Sequence, residues 1–154
     1  MRSHPHLYEI NTSFFLKRLS SKYAKPLTLK TIPDTEWKYF SDLGFDFIWL
    51  MGVWQRSPVS RREAIGSQNL RSLYSKILPG WKDEDITGSP YAVYDYKLEP
   101  AFGSPDDLPG LKEKLNRMGL KLILDFVPNH FAVDHPWTIE HPQRFVRAPE
   151  EKTR

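Results

Sequence analysis

The chain contains no cysteine among its 154 residues, which excludes disulfides, thiolate nucleophiles and thiolate metal sites. It also lacks any apolar run long enough to span a bilayer, so no membrane partner is expected. Its opening Met-Arg-Ser-His-Pro-His leads into a mixed polar segment with no signal-peptide core, and cytoplasmic residence is the expectation. A one-sided charge is missing too. The 22 Lys and Arg face 19 Asp and Glu, a net charge of +3, and the two signs are interspersed rather than gathered into a basic stripe. A nucleic-acid partner is therefore not expected. What remains is a globular composition, 40% apolar and 27% charged, at the length of one ordinary domain.

Local patterning resolves that composition into alternating strands and helices. Leu7 to Asn11 suits a first strand, and Phe14, Phe15, Leu16 and Leu19 suggest a short helix or turn fading into a Ser20 to Lys25 linker. Pro33 and Asp34 open a second helix, with Asp34 as cap and Trp37, Phe40 and Leu43 near one face; Gly44 stops it. Phe45 to Met51 follows as a strand rich in aromatic and branched residues. The same grammar recurs from Leu108 to Met118. Leu108, Leu111, Leu115 and Met118 return at helical spacing, and Ser104 with Asp107 resembles a capping box, although Pro109 leaves Asp106 or Asp107 as alternative caps. Gly119 then admits an apolar strand, Leu120 to Val127, whose run suits burial on both faces. Strands alternating with helices imply parallel pairing.

Asp125 interrupts that last strand, Pro128 ends it, and Asn129 and His130 follow where the backbone leaves the sheet. Ligands of α/β folds bind at the carboxyl ends of strands, so these polar residues are candidates for a site. Residues 52–103 are too long for an ordinary connection and are suspect as functional. They hold an expected helix at Gln68 to Leu78 and otherwise read as loop, crowded with Trp54, Trp81, Tyr91, Tyr94, Tyr96 and Phe102. Such rings either stack on the C–H faces of sugars or anchor the loop itself.

Phe45 to Pro58, Gly88 to Gly103, Asp106 to Leu111 and Gly119 to His130 resemble, in that order, the first part of the catalytic barrel of the α-amylase family, glycoside hydrolase family 13. Tyr8 to Asn11 and Asp134 to Trp137 are also similar to bacterial members, so the resemblance runs from about Leu7 to Arg147. It implies an α/β fold of a particular kind: a partial (β/α)8 TIM barrel whose first three β/α units occupy residues 1–154, with an extended aromatic-rich loop at about 52–103. It further implies retaining chemistry on α-glucosidic bonds. Asp125 would be the carboxylate supporting the active site, His130 would hydrogen-bond the sugar, and Tyr91 would stack beneath it. Asn129 matches a calcium ligand of many members, but no Asp-rich loop supplies the further oxygens that a hard cation requires, and no other cofactor is expected. The residues alone leave alternatives open: Asp125 as a turn cap, Asn129 satisfying loop backbone, His130 as a solvated loop residue. Pro90 before Tyr91 and the Met51-Gly52 pair depart from the commoner family pattern.

Retaining cleavage requires a nucleophile and an acid/base, two carboxyl groups about 5 to 5.5 Å apart. In the family these stand on later strands, and Asp134 and Glu140 match no catalytic motif and read as loop surface. The chain is accordingly expected to be a fragment of a hydrolase, inactive alone and needing the remainder of its barrel, with an α-glucan or α-glucoside as substrate. A transglycosylase of the trehalose synthase or sucrose phosphorylase kind, or a non-catalytic carbohydrate-binding module, are the alternatives.

Overall fold

The computed structural model describes residues 2–146, which divide into two compact units: residues 2–55 with 96–128, and residues 56–95 with 129–146. Arg147, where the resemblance ends, lies just outside the described residues.

The first unit is built on three parallel strands, β1 (Leu7–Asn11), β2 (Phe47–Met51) and β5 (Lys121–Leu124), in the order β1-β2-β5. Asn11 stands opposite Met51, and Leu50 opposite Leu124, so the three carboxyl ends lie together as the alternating pattern implied. Helices α1 (Thr12–Lys22), α2 (Asp34–Asp42) and α5 (Asp107–Arg117) belong to the same unit. Their inward residues Leu19, Trp37 and Leu115 join Ile48, Leu50 and Leu120 in one core, each at most 1% exposed. Full burial of each such aliphatic side chain stabilises by about 1.5–3 kcal/mol.

Several local expectations are corrected. Helix α1 is longer than the Phe14 to Leu19 stripe suggested, because the Asn11 side chain at the strand end accepts the Phe14 N–H at 3.1 Å and starts the helix immediately. Asp34 is the first helical residue rather than the cap, which falls on Pro33. At α5, Asp107 does reach back to the Ser104 N–H at 2.8 Å, but the Ser104 hydroxyl faces the Asp106 N–H, so only half of a capping box forms. Strand β5 is shorter than Leu120 to Val127 and is not buried on both faces: Lys121 is exposed and Leu122 to Leu124 are half-buried. It stands at the edge of the sheet, where only one ladder is filled.

Carboxylates tie this unit at its periphery. Asp46 accepts the His6 N–H at 2.7 Å, which with the Arg2 guanidinium at 3.1 Å holds its carboxyl below the usual carboxylate range. Burial pushes Glu36 up, but hydrogen bonds from Lys22 and the Tyr23 hydroxyl, both 2.6 Å, outweigh it and leave Glu36 lowered and Lys22 raised.

Strands β3 (Trp54–Arg56) and β4 (Val93–Leu98) pair with each other, and the chain passes between the two units within them. The second unit holds helices α3 (Pro58–Gly66), α4 (Gln68–Ile77) and α6 (Trp137–Glu140). The expected helix is α4; the expectation that the rest of residues 52–103 is loop fails. Ser57 supplies the reason for α3. Its hydroxyl accepts the Ser60 N–H at 2.8 Å and Pro58 occupies the first helical position, a helix start that the apolar period does not reveal.

Candidate functional site

Asp125 follows directly on β5. The register sets Trp49 beside Ile123, so Asp125, two residues further, lies on the Trp49 face of the sheet. The Trp49 indole N–H donates to one carboxylate oxygen at 2.7 Å, and the Gly52 N–H donates to the other. Gly52 takes φ = 75°, the left-handed region where a side chain is strained, as the chain turns out of β2. The Trp54 indole donates to the Asp125 carbonyl at 2.8 Å. With both oxygens bonded and only 8% exposure, Asp125 is a buried carboxylate held by fixed donors rather than a solvated loop acid.

Tyr96 extends this arrangement. Its hydroxyl accepts the Val127 N–H at 2.8 Å and donates to the Val127 carbonyl at 3.1 Å, serving both main-chain groups of a residue that has left the ladder. The Tyr96 ring packs against Trp54, centroids 5.4 Å apart. Trp49 and Gly52 as partners of Asp125, and Tyr96 as partner of Val127, escaped the sequence reading. Only the parity of Trp49 and Asp125 on paired strands could have signalled the first of them.

In the second unit, His130 and Tyr91 come together although 39 residues separate them: His130 Nε2 lies 3.1 Å from the Tyr91 carbonyl oxygen. A carbonyl oxygen only accepts, so Nε2 carries the hydrogen, and in the neutral ring Nδ1 is then the acceptor. The Ala132 N–H donates to the Val93 carbonyl at 3.1 Å, so residues 130–132 run beside residues 91–93. The Tyr91 side chain is 39% exposed and His130 is exposed as well. Four other rings of the long connection behave as anchors: Phe102 is in the core, Trp54 packs on Tyr96, and Trp81 meets Tyr74 at 5.2 Å.

Asp134 corrects the surface reading given to it. It is half-buried, accepts the Ser57 hydroxyl at 2.6 Å and the Val59 N–H at 3.2 Å, and so completes the cap of α3. His135, which sequence reasoning passed over, is 7% exposed; its Nδ1 accepts the Trp137 N–H at 3.1 Å, and its ring lies 4.5 Å from that of Phe131. Glu140 is exposed. Asn129 is exposed, and among the described residues no three His, Asp or Glu gather into a metal-binding group.

The family model for the alpha amylase catalytic domain matches residues 29–154. An α-1,4-glucan:maltose-1-phosphate maltosyltransferase from Cereibacter sphaeroides is 32% identical over 117 residues, 73% of this chain and 18% of that protein. An amino acid transporter heavy chain from Mus musculus is 48% identical over 48 residues, 30% of this chain and 7% of that protein. Among solved structures, an alpha-amylase from Lactobacillus plantarum superposes with a TM-score of 0.65 at 23% identity, covering 93% of this chain and 27% of that one. The chain thus spans less than a fifth of the length of these curated relatives, and its fold is part of a TIM barrel of mixed α/β content. Three parallel strands with their carboxyl ends aligned, Asp125 at the end of the third, and a family match over most of the sequence lead to one conclusion: the chain belongs to the α-amylase family, glycoside hydrolase family 13.

Proposed function

We propose that this chain supplies the sugar-binding portion of a retaining enzyme acting on α-glucosidic bonds, with an α-glucan or α-glucoside as substrate. Tyr91 stacks beneath a glucosyl ring, His130 hydrogen-bonds that sugar, and Asp125 supports the strand end from which the site is built. The observation that carries the reading is the His130–Tyr91 contact of 3.1 Å, which joins two residues that the family pattern assigns to one sugar. It also orients the imidazole. With Nε2–H committed to the carbonyl, Nδ1 is the atom left to accept a hydrogen bond from a sugar hydroxyl.

The nucleophile and the acid/base are, in this reading, residues other than those of this chain, because the family pattern sets both carboxylates on later strands of the barrel than the three found here. The chain alone then binds without turning over. Transglycosylation is the second reading, supported by the similarity to a maltosyltransferase. A non-catalytic role is the third, supported by the similarity to a transporter heavy chain. The proposal keeps the cytoplasm as the compartment, which fractionation of source cells tests.

The deciding experiment offers the purified chain maltose, an activated aryl α-glucoside and soluble starch. Saturable shifts of Tyr91 and His130 resonances with maltose, lost in His130→Ala, and no product from either of the other substrates are expected. Turnover that survives re-purification and vanishes in Glu140→Gln would overturn the assignment of chemistry to other residues. No maltose contact at Tyr91 or His130 would overturn the site.

A further inference from the structure

His135 has no part in the proposed sugar contact, yet it is 7% exposed and its ring organises the segment that follows it. Helix α6 is a single turn of four residues, too short to hold itself in water. Its first two N–H groups both end on His135. The ring Nδ1 accepts from the Trp137 N–H at 3.1 Å, and the His135 carbonyl accepts from the Thr138 N–H at 2.9 Å. A nitrogen that accepts carries no hydrogen, so the hydrogen is on Nε2 and the imidazole is neutral.

The surroundings suit a neutral ring. Phe131 and Trp137 lie 4.5 Å and 5.5 Å from it, centroid to centroid, and Phe131 also meets Trp137 at 5.9 Å and Phe145 at 5.8 Å. A cation already occupies this cluster, since the Arg144 guanidinium stands 4.3 Å over the Trp137 ring, and the titratable His141 ring meets the same Trp137 at 6.1 Å. The neighbouring carboxylates do not compensate. Both Asp134 oxygens accept from Ser57 and Val59, Glu140 is exposed, and His135 makes no ion pair among the described residues. Proton uptake at Nδ1 would turn the acceptor into a donor facing the Trp137 N–H, and two donors cannot share that contact.

The same residue reaches the proposed sugar contact through the main chain. The His135 N–H donates to the Ala132 carbonyl at 3.0 Å, and the Ala132 N–H donates to the Val93 carbonyl at 3.1 Å, two residues from the contact between His130 and Tyr91. We propose that His135 is a pH-sensitive latch: with Nδ1 unprotonated it holds α6 and the pairing of residues 130–132 with 91–93 closed, and proton uptake releases both. The closed form is favoured above the range in which imidazoles titrate and is lost as pH falls through it. The consequence for sugar binding rests on the α-glucan reading above, whereas the latch does not.

The test follows the full chain by NMR from about pH 8 to about pH 5, a range that spans imidazole protonation. The Trp137 and Thr138 amides are expected to move in step with the His135 ring and to lose roughly tenfold in exchange protection, while Leu50 and Leu115 keep theirs. His135→Asn, whose Oδ1 accepts where Nδ1 does and takes up no proton, is expected to stay closed throughout. His141→Gln is expected to leave the transition unchanged. A Trp137 amide that keeps its shift and protection across the range, or a transition that persists in His135→Asn, overturns the latch. Loss of Leu50 and Leu115 protection over the same range would be general acid unfolding and overturns it too. Maltose is expected to bind the unaltered chain several-fold more weakly at the acid end, with part of that loss recovered in His135→Asn; equal losses in the two chains overturn the coupling to the sugar contact. No maltose contact at the alkaline end sinks the sugar reading and leaves the latch standing.

Discussion

The two units use the same helical periodicity to different ends. In the barrel-like unit every helix buries apolar residues: Phe15, Leu16 and Leu19 on α1, Trp37 and Phe40 on α2, Leu111 and Leu115 on α5. In the other unit α3, α4 and α6 bury none. Helix α4 carries as regular an apolar stripe as any, yet Leu73 is 47% and Ile77 71% exposed. The second unit relies instead on polar ties: the Ser57 cap of α3, the Ser67 cap of α4, the Asp134 brace and the Arg61 staples to the Ile86 and Asp83 carbonyls. Apolar burial is non-directional and makes a stable unit; hydrogen bonds contribute only about 0.5–1.5 kcal/mol net each but fix geometry. The first unit is therefore a scaffold held by its buried core, and the second is held by directional contacts.

The largest test of this contrast is truncation in the scaffold. Trp37→Ala, in a side chain fully buried against Phe15 and Phe40, is expected to cost about 3–5 kcal/mol and abolish the cooperative denaturant transition seen by near-ultraviolet circular dichroism. Next comes Asp125→Ala. It leaves the Trp49 indole and Gly52 N–H groups without their acceptor, at about 1–3 kcal/mol, and a shift in the denaturation midpoint at unchanged slope measures it.

Ser57→Ala probes the second unit. Losing the cap of α3 and the Asp134 contact is expected to cost about 0.5–2 kcal/mol, read as faster amide exchange at Ser60 while Leu50 and Leu115 keep their protection. Global unfolding in Ser57→Ala would show that the two regions do not differ as described.

Acid provides a gentler lever. Asp46 and Glu36 have lowered carboxyl pKa values in the folded chain, so the stability they contribute is present above the ordinary carboxylate range and is lost as pH falls through their folded values. Lys22, raised, contributes below the ordinary lysine range and loses that contribution as pH rises through its folded value. Asp46→Asn should flatten the acid limb of a stability-versus-pH curve. The smallest expected effect is Ile77→Ala on the open face of α4, within about 0.5 kcal/mol by the same denaturation assay. A larger loss would mean that the stripe is covered in solution.

Much of the scaffold was legible because burial and periodicity coincide there. The stretches around Ile48 and Leu122 announced strands, and Leu111 with Leu115 announced a helix, since each apolar residue recurs at the spacing of the face it buries. Helix α3 was not legible, because its start is set by a serine hydroxyl and a proline and its body shows no stripe. Tyr91, His130 and Asp125 could be named from the family pattern. That His130 meets the carbonyl of Tyr91, and that Trp49 and Gly52 clasp Asp125, depends on pairings 39, 76 and 73 residues apart.

The sequence by itself determined the parallel α/β class, the family, and the segment that leaves the sheet at Asp125. These are local or periodic properties, written in neighbouring residues. Tertiary structure alone decided which residues hold that carboxylate, which imidazole nitrogen carries the hydrogen, that Asp134 braces a helix, and that hydroxyls from α3, α4 and residues 87–89 line one cleft. Such features arise only when the chain closes long loops. No one-dimensional spacing encodes them, because hydrogen bonds are directional and their partners are chosen by the packing that brings them within reach.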